Sequence, residues 1–115
     1  MVYIHRMKVG ENFYRGQVQA KRPYICDGVG VMMYPDGKIY EGFWKNGLRS
    51  GHGRLVYTNG SVYVGEWAND LTNGYGVFFN AEGYRYEGMW QDDTLNGNGC
   101  ETWEENGSKF VGSFL

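Results

Sequence analysis

The side chains best suited to chemistry are few in this sequence and stand apart from one another. His5 and His52 are the only histidines, and neither has a second histidine, a cysteine or a carboxylate at a spacing that binds metal. Cys26 and Cys100 are isolated, so we interpret them as reduced, packed thiols. No serine has a histidine and an acid placed to activate it by a local motif. The sequence therefore predicts no catalytic residue, no metal site, no cofactor and no enzymatic activity.

Two kinds of glycine-containing segment resemble ligand-binding loops only in part. Four pairs have the form Gly-x-Gly, and none continues to the phosphate-binding pattern G-x-G-x-x-G, so we interpret each as the start of a strand. These pairs are Gly28 and Gly30, Gly51 and Gly53, Gly74 and Gly76, and Gly97 and Gly99. The segment from Asp92 has Thr94 and Trp103 where a calcium loop needs its third and twelfth ligands. We interpret that segment as a polar hairpin turn.

Aromatic side chains are the most abundant candidates for binding, at 17% of the chain. Such rings stack on nucleic-acid bases, and they also anchor protein partners because they bury a large area at low entropic cost. A nucleic-acid surface needs a basic groove as well. Residues 24–115 carry six basic and twelve acidic residues, a net charge of −6. We therefore exclude nucleic acid and favour a protein partner.

Basic residues are concentrated near the N-terminus. Residues 1–23 contain five of them against Glu11, a net charge of +4. The five are Arg6, Lys8, Arg15, Lys21 and Arg22. This end offers the alternative hypothesis, a contact with anionic phospholipid, which salt should weaken steeply.

The aromatic residues require extended strands to place them together. Tyr40, Gly42 and Trp44 alternate, so a strand puts all three on one face. Asn46-Gly47 is a strong hairpin signal. We expect the second strand to begin at Gly51 to Gly53, run through Arg54 to Tyr57 and end at Asn59-Gly60. The unit from Tyr40 to Gly60 is thus strand, turn, strand, turn.

This unit recurs at a fixed period. Tyr63 to Trp67 lies 23 residues after Tyr40 to Trp44, and Tyr86 to Trp90 lies 23 residues further on. Each tryptophan is followed after seven residues by the first glycine of a Gly-x-Gly pair. A fixed period in this range predicts a stacked array, in which no unit buries its apolar face alone.

Tyr-x-Gly-x-Trp followed by Gly-x-Gly at this spacing resembles the MORN repeat (membrane occupation and recognition nexus). The resemblance covers the chain from about Tyr14 to the C-terminus. It implies an all-β protein, an elongated open antiparallel sheet of successive β-hairpins. It also implies a scaffold without catalysis in a cytoskeletal, ciliary or membrane-associated assembly, often as a homodimer.

The organisation we expect has two parts. Residues 1–13 form a capping strand, and residues 14–115 form the array. Full repeats begin at Tyr14, Tyr40, Tyr63 and Tyr86, and a half repeat begins at Phe110. We expect a bulge or wider turn between Thr102 and Asn106. The chain stops after the first strand of that half repeat, so either this strand is the cap or the sequence is cut from a longer protein.

The predicted partner-binding groove consists of the motif aromatics and two aromatic residues from the intervening strands. They are Tyr40, Trp44, Tyr57, Tyr63, Trp67, Phe78, Tyr86 and Trp90. A helical or extended segment of a partner protein would suit such a groove, and we expect Trp67→Ala to reduce partner binding, stability or both. No apolar segment follows Met1 as in a signal peptide. We therefore expect a cytoplasmic protein associated with the cytoskeleton or a cilium.

Overall fold

Ten strands form one open antiparallel sheet, in which the spatial order of the strands is their order in the chain. The structure is a computed structural model, and it describes residues 1–103 and 108–114. The strands are β1 (Val2–Val9), β2 (Asn12–Val18), β3 (Cys26–Met33), β4 (Ile39–Lys45), β5 (Leu48–Val56), β6 (Val62–Ala68), β7 (Leu71–Phe79), β8 (Tyr84–Gln91), β9 (Thr94–Trp103) and β10 (Ser108–Phe114).

The sheet is elongated, with extents of 51 × 24 × 18 Å. Within the described ranges every regular element is a strand, which confirms the all-β, open-sheet prediction. No element in those ranges is a helix that could span a membrane.

Two-residue turns close the hairpins that carry the motif. Asn46 and Gly47 have φ of 50° and 81°, and Asn69 and Asp70 have φ of 50° and 73°. Positive φ at both central positions gives the turn a twist that matches the twist of the paired strands. The predicted Asn46-Gly47 turn is therefore confirmed.

The interpretation of the Gly-x-Gly pairs as strand starts is wrong. β5 begins at Leu48, directly after the turn, and Gly51 lies inside the strand with φ of 74°. Gly42 faces Gly53 while Trp44 faces Arg49, so the register shifts between them and the longer strand bulges around Gly51. The short turn lets the strands pair at once, and the glycine takes the left-handed conformation that the bulge requires.

The two ends of the array differ from its middle. β1 lies along β2 at one edge of the sheet, and Val2 is opposite Val18. The segment between Val18 and Cys26, which contains Pro23, joins β2 to β3 without strand structure. The bulge or wider turn expected between Thr102 and Asn106 lies mostly at 104–107, outside the described residues.

The core lies on one face of the sheet. We call the face that carries Tyr40 and Trp44 the inner face, and the face that carries Glu41 and Phe43 the outer face. The motif tyrosines on the inner face are almost completely buried, with relative exposures of 1% or less. They are Tyr14, Tyr40, Tyr63 and Tyr86. Phe43 on the outer face is 48% exposed.

Candidate functional site

Each motif tyrosine lies over a glycine of the next strand. A Cβ atom added to Gly53 would overlap the Tyr40 ring, so only glycine leaves room for that ring. The Tyr40 hydroxyl donates a hydrogen bond of 2.9 Å to the carbonyl oxygen of Phe43. Tyr14, Tyr63 and Tyr86 donate in the same way to the carbonyl three residues on. The tyrosine of the motif is therefore the structural centre of its hairpin.

The motif tryptophans join each repeat to the one before it. The Trp67 ring packs edge-on against Tyr40 at 5.2 Å and against Tyr63 at 5.3 Å between centroids. Trp44 bridges Tyr14 and Tyr40, and Trp90 bridges Tyr63 and Tyr86, in the same geometry. Seven rings thus form one continuous ladder in the arrangement that aromatic quadrupoles prefer.

The ladder corrects part of the predicted groove. Tyr40, Trp44 and Tyr86 are core side chains, at 0%, 5% and 0% exposure for the tyrosine, tryptophan and tyrosine. They pack against glycine and neighbouring rings because a single-layered sheet must bury its aromatic residues against itself. Their predicted place in a partner-contacting surface is therefore wrong.

The other five predicted groove residues line one open cavity of about 330 Å³ on the inner face. Tyr63 and Trp67 are buried, and the half-buried rings of Tyr57, Phe78 and Trp90 line the cavity with them. The remaining lining residues are polar apart from Leu55. They are Lys38, Arg49, Thr72 and Asp93. We call this cavity the inner groove.

Arg49 is a functional candidate that the sequence analysis missed. Its Nε donates to Oδ1 of Asp70 at 2.6 Å, and its guanidinium carbon lies 4.5 Å from the centre of the Trp67 ring. A further nitrogen donates to the Asp70 carbonyl oxygen at 2.8 Å. Arg49 therefore ties β5 to the turn after β6. An aspartate in a turn position where the previous repeat has Gly47 was the available signal.

Asp93 takes the corresponding place in the next repeat. Its Oδ1 accepts hydrogen bonds from the Thr72 amide at 2.7 Å and from the Thr72 hydroxyl at 3.0 Å. The Asp93 amide in turn donates to the Thr72 carbonyl oxygen at 3.1 Å. The turn between β8 and β9 is thus fixed to β7 in the same way that the preceding turn is fixed to β5.

The titratable groups of the inner groove remain in their ordinary protonation states near neutral pH. Burial raises the pKa of the Tyr57 hydroxyl, and the negative charge of Asp93 raises it further. Burial also raises the pKa of the Cys26 thiol, to about 11, so this cysteine is protonated and poorly nucleophilic. Among the described residues, no group of three or more histidine, cysteine, aspartate or glutamate side chains could hold a metal ion. The arrangement suits binding rather than catalysis.

The basic residues near the N-terminus are divided between two places. Arg6 lies over the Phe13 ring at 4.5 Å, Lys8 is opposite Phe13, and Arg15 is on the same strand as Phe13 two residues on. Lys21 and Arg22 lie beyond the other end of β2. All five side chains are exposed, and they do not meet in one patch.

The charges of the outer face are largely paired with one another. Arg54 contacts Glu41 at 2.8 Å, and Arg85 contacts Glu87 at 3.5 Å. Exposed pairs of this kind contribute little to stability. They leave the outer face without a strong electrostatic field of one sign.

Comparison with known proteins agrees with the repeat pattern. The family model described as MORN repeat matches four consecutive segments, residues 25–39, 40–62, 63–83 and 86–108. The hairpin that begins near Tyr14 and most of the strand around Phe110 lie outside those segments. No curated protein matches the chain.

Proposed function

This chain belongs to the MORN-repeat family, and from that premise we propose that it is a non-catalytic scaffold that holds a protein partner in its inner groove. The observation that carries the proposal is the set of half-buried rings along an open cavity: Tyr57, Phe78 and Trp90. Rings that already have one side packed lose little conformational entropy when a partner covers the other side.

A segment of protein is the occupant that best suits the inner groove. The cavity is open to solvent and lies along the ladder of rings, so a helical or extended segment can place one or more apolar side chains against it. The acidic balance of residues 24–115 opposes nucleic acid and anionic lipid. We propose that the partner belongs to a cytoskeletal, ciliary or membrane-associated assembly in the cytoplasm, and that the scaffold acts there as a homodimer.

A phospholipid contact is the alternative to a protein partner. Arg6, Lys8 and Arg15 would have to act separately from Lys21 and Arg22, because the two groups lie at opposite ends of β2. A membrane surface could touch one group at a time, which weakens the electrostatic attraction that several clustered cations give.

The experiment that tests the proposal compares two adjacent phenylalanines. Phe78 lines the inner groove, whereas Phe79 is on the outer face and is 39% exposed. The parent protein, Phe78→Ala and Phe79→Ala are each used to capture proteins from a cytoskeleton-rich lysate at low and at high salt. Flotation with anionic liposomes is measured beside each capture.

We expect a protein that is retained at high salt, lost with Phe78→Ala and kept with Phe79→Ala, and no flotation. Equal capture by both variants would contradict the inner groove as the binding site. Salt-sensitive flotation that disappears when the five basic residues are neutralised would favour the membrane alternative. Circular dichroism of Phe78→Ala establishes that any loss is not caused by unfolding.

A further inference from the structure

The inner groove contains one arginine site that the protein fills itself. Arg49 lies on the Trp67 ring and contacts the Asp70 carboxylate. The arginine, the ring and the carboxylate come from β5, β6 and the turn that follows β6. An aromatic face combined with a carboxylate binds a guanidinium by stacking, cation–π attraction and hydrogen bonding together.

The next repeat has the same ring and the same carboxylate but a different residue in the arginine position. Adding the 23-residue period converts Trp67 to Trp90, Asp70 to Asp93 and Arg49 to Thr72. Trp90 and Asp93 both line the inner groove. The threonine is short and neutral, so it satisfies one carboxylate oxygen by hydrogen bonds without supplying a positive charge.

The burial of the two tryptophans reflects this difference. Trp67, beneath the Arg49 guanidinium, is 4% exposed, whereas Trp90 is only partly buried. In the part of the chain that the structure describes, no cation lies within ion-pair distance of Asp93. The other cations that line the cavity have carboxylates of their own, since Arg49 contacts Asp70 and Lys38 contacts Asp36.

We propose that Trp90 and Asp93 bind an arginine side chain of the partner protein, in the way that Trp67 and Asp70 hold Arg49. The guanidinium stacks on Trp90 and donates to the Asp93 carboxylate, while the aliphatic part of the side chain lies against Phe78 and Tyr57. The net charge of −6 over residues 24–115 attracts such a segment. This inference rests on the proposed function, because it assigns the chemistry of the partner that the inner groove would hold.

The test uses the full chain and two small probes, N-acetyl-arginine amide and its neutral counterpart N-acetyl-citrulline amide. Binding is followed by NMR from the indole N–H signal of Trp90, which donates to the Gly76 carbonyl oxygen. We expect a saturable shift with the arginine probe and about tenfold weaker binding of the citrulline probe, from the loss of one cation–π contact and one ion pair.

Three variants locate the site. Asp93→Asn should weaken the arginine probe about tenfold, to the level of citrulline. Asp92→Asn is the matched control and should leave binding unchanged, because Asp92 contacts Asn73 and does not line the inner groove. Thr72→Arg should abolish the shift, because it supplies from the chain itself the guanidinium that the probe would bring.

Equal binding of the two probes, no shift with either probe, or unchanged binding to Asp93→Asn would each overturn the inference. If Thr72→Arg does not give the spectrum of a folded protein, Asp93→Asn decides. Failure of the arginine probe together with loss of the captured partner in Phe78→Ala would contradict only the arginine site. Binding of the probe together with a partner that is kept in Phe78→Ala would contradict the proposed function.

Discussion

At the scale of single residues, the repeat is a device for burying a tyrosine in a sheet that is one layer thick. The Tyr40 ring has no second sheet to pack against, so it lies flat on Gly53 and bonds to its own strand through the Phe43 carbonyl oxygen. The spacing in the sequence was sufficient to predict that the glycine makes room for a ring. It was not sufficient to predict that the ring would be fully buried, because burial depends on the tryptophan of the following repeat.

Gly53→Ala should destabilise the protein by about 2–3 kcal/mol, since the new methyl group would overlap the Tyr40 ring. Gly10→Ala is the control: nothing lies within 4 Å of a Cβ atom there, so only its positive φ of 62° opposes the change, at about 1 kcal/mol. Urea denaturation of both variants measures the difference. A smaller loss at Gly53 than at Gly10 would contradict the packing described for Tyr40.

The buried tyrosines should make the protein unstable in alkali. Burial raises the pKa of Tyr14, Tyr40 and Tyr63 above the ordinary value of 10.0, so the folded state keeps protons that the unfolded state loses. Their contribution is complete below pH 10 and is lost as the pH rises towards the folded values, at up to about 1.4 kcal/mol per tyrosine per pH unit.

Urea denaturation between pH 8 and pH 11 checks this sign. The free energy of unfolding should fall above pH 10, and the fall should be less steep in Tyr40→Phe, which has no phenol to ionise. An equally steep fall in that variant would show that Tyr40 is not the source of the effect.

At the scale of elements, each hairpin is fixed to the previous one at its turn as well as along its strands. The amides of Asp70 and Asp93 donate to carbonyl oxygens 21 residues earlier, at Arg49 and Thr72, and Gly47 does the same to Cys26. The turns themselves could be predicted from Asn46-Gly47. The bulge at Gly51 could not, because a glycine pair in the sequence does not reveal where in a strand the extra residues lie. The contact of Arg49 with Asp70 could be found only by comparing repeats position by position.

Arg49→Met should lower the free energy of unfolding by about 1–2 kcal/mol, because it removes both the contact with Asp70 and the cation over Trp67. Arg54→Met should cost about 0.5 kcal/mol or less, since the Arg54–Glu41 pair is exposed on both sides. Chemical denaturation of the two variants side by side measures the contrast. Equal losses would mean that the inner-face arginine has no special structural role.

At the scale of the whole molecule, the ladder of rings makes the array cooperative although each strand pairs only with its neighbours. The all-β fold, the elongated shape and the order of hairpins followed from the 23-residue period alone. The division of the aromatic residues between core and groove did not, because it depends on which rings the next hairpin covers. Tyr57 and Phe78 come from the second strand of each repeat, so no motif tryptophan covers them fully.

Trp67→Ala should cost about 3–5 kcal/mol, because the ring bridges Tyr40 and Tyr63 in the middle of the array. Trp103→Ala should cost less, since its ring is 41% exposed and packs only against Tyr84 among the described aromatic residues. Thermal denaturation followed by circular dichroism compares the two. A single cooperative transition at an unchanged temperature in Trp67→Ala would contradict the ladder as the source of stability.

The claim that the inner groove holds a protein partner is tested most directly by photo-crosslinking in cells. A benzophenone amino acid replaces Phe78, in the inner groove, in one strain and Phe79, on the outer face, in another. Our account predicts a discrete crosslinked protein from position 78 that is absent from position 79. The same adduct from position 79, with none from position 78, would place the partner on the outer face and contradict the account.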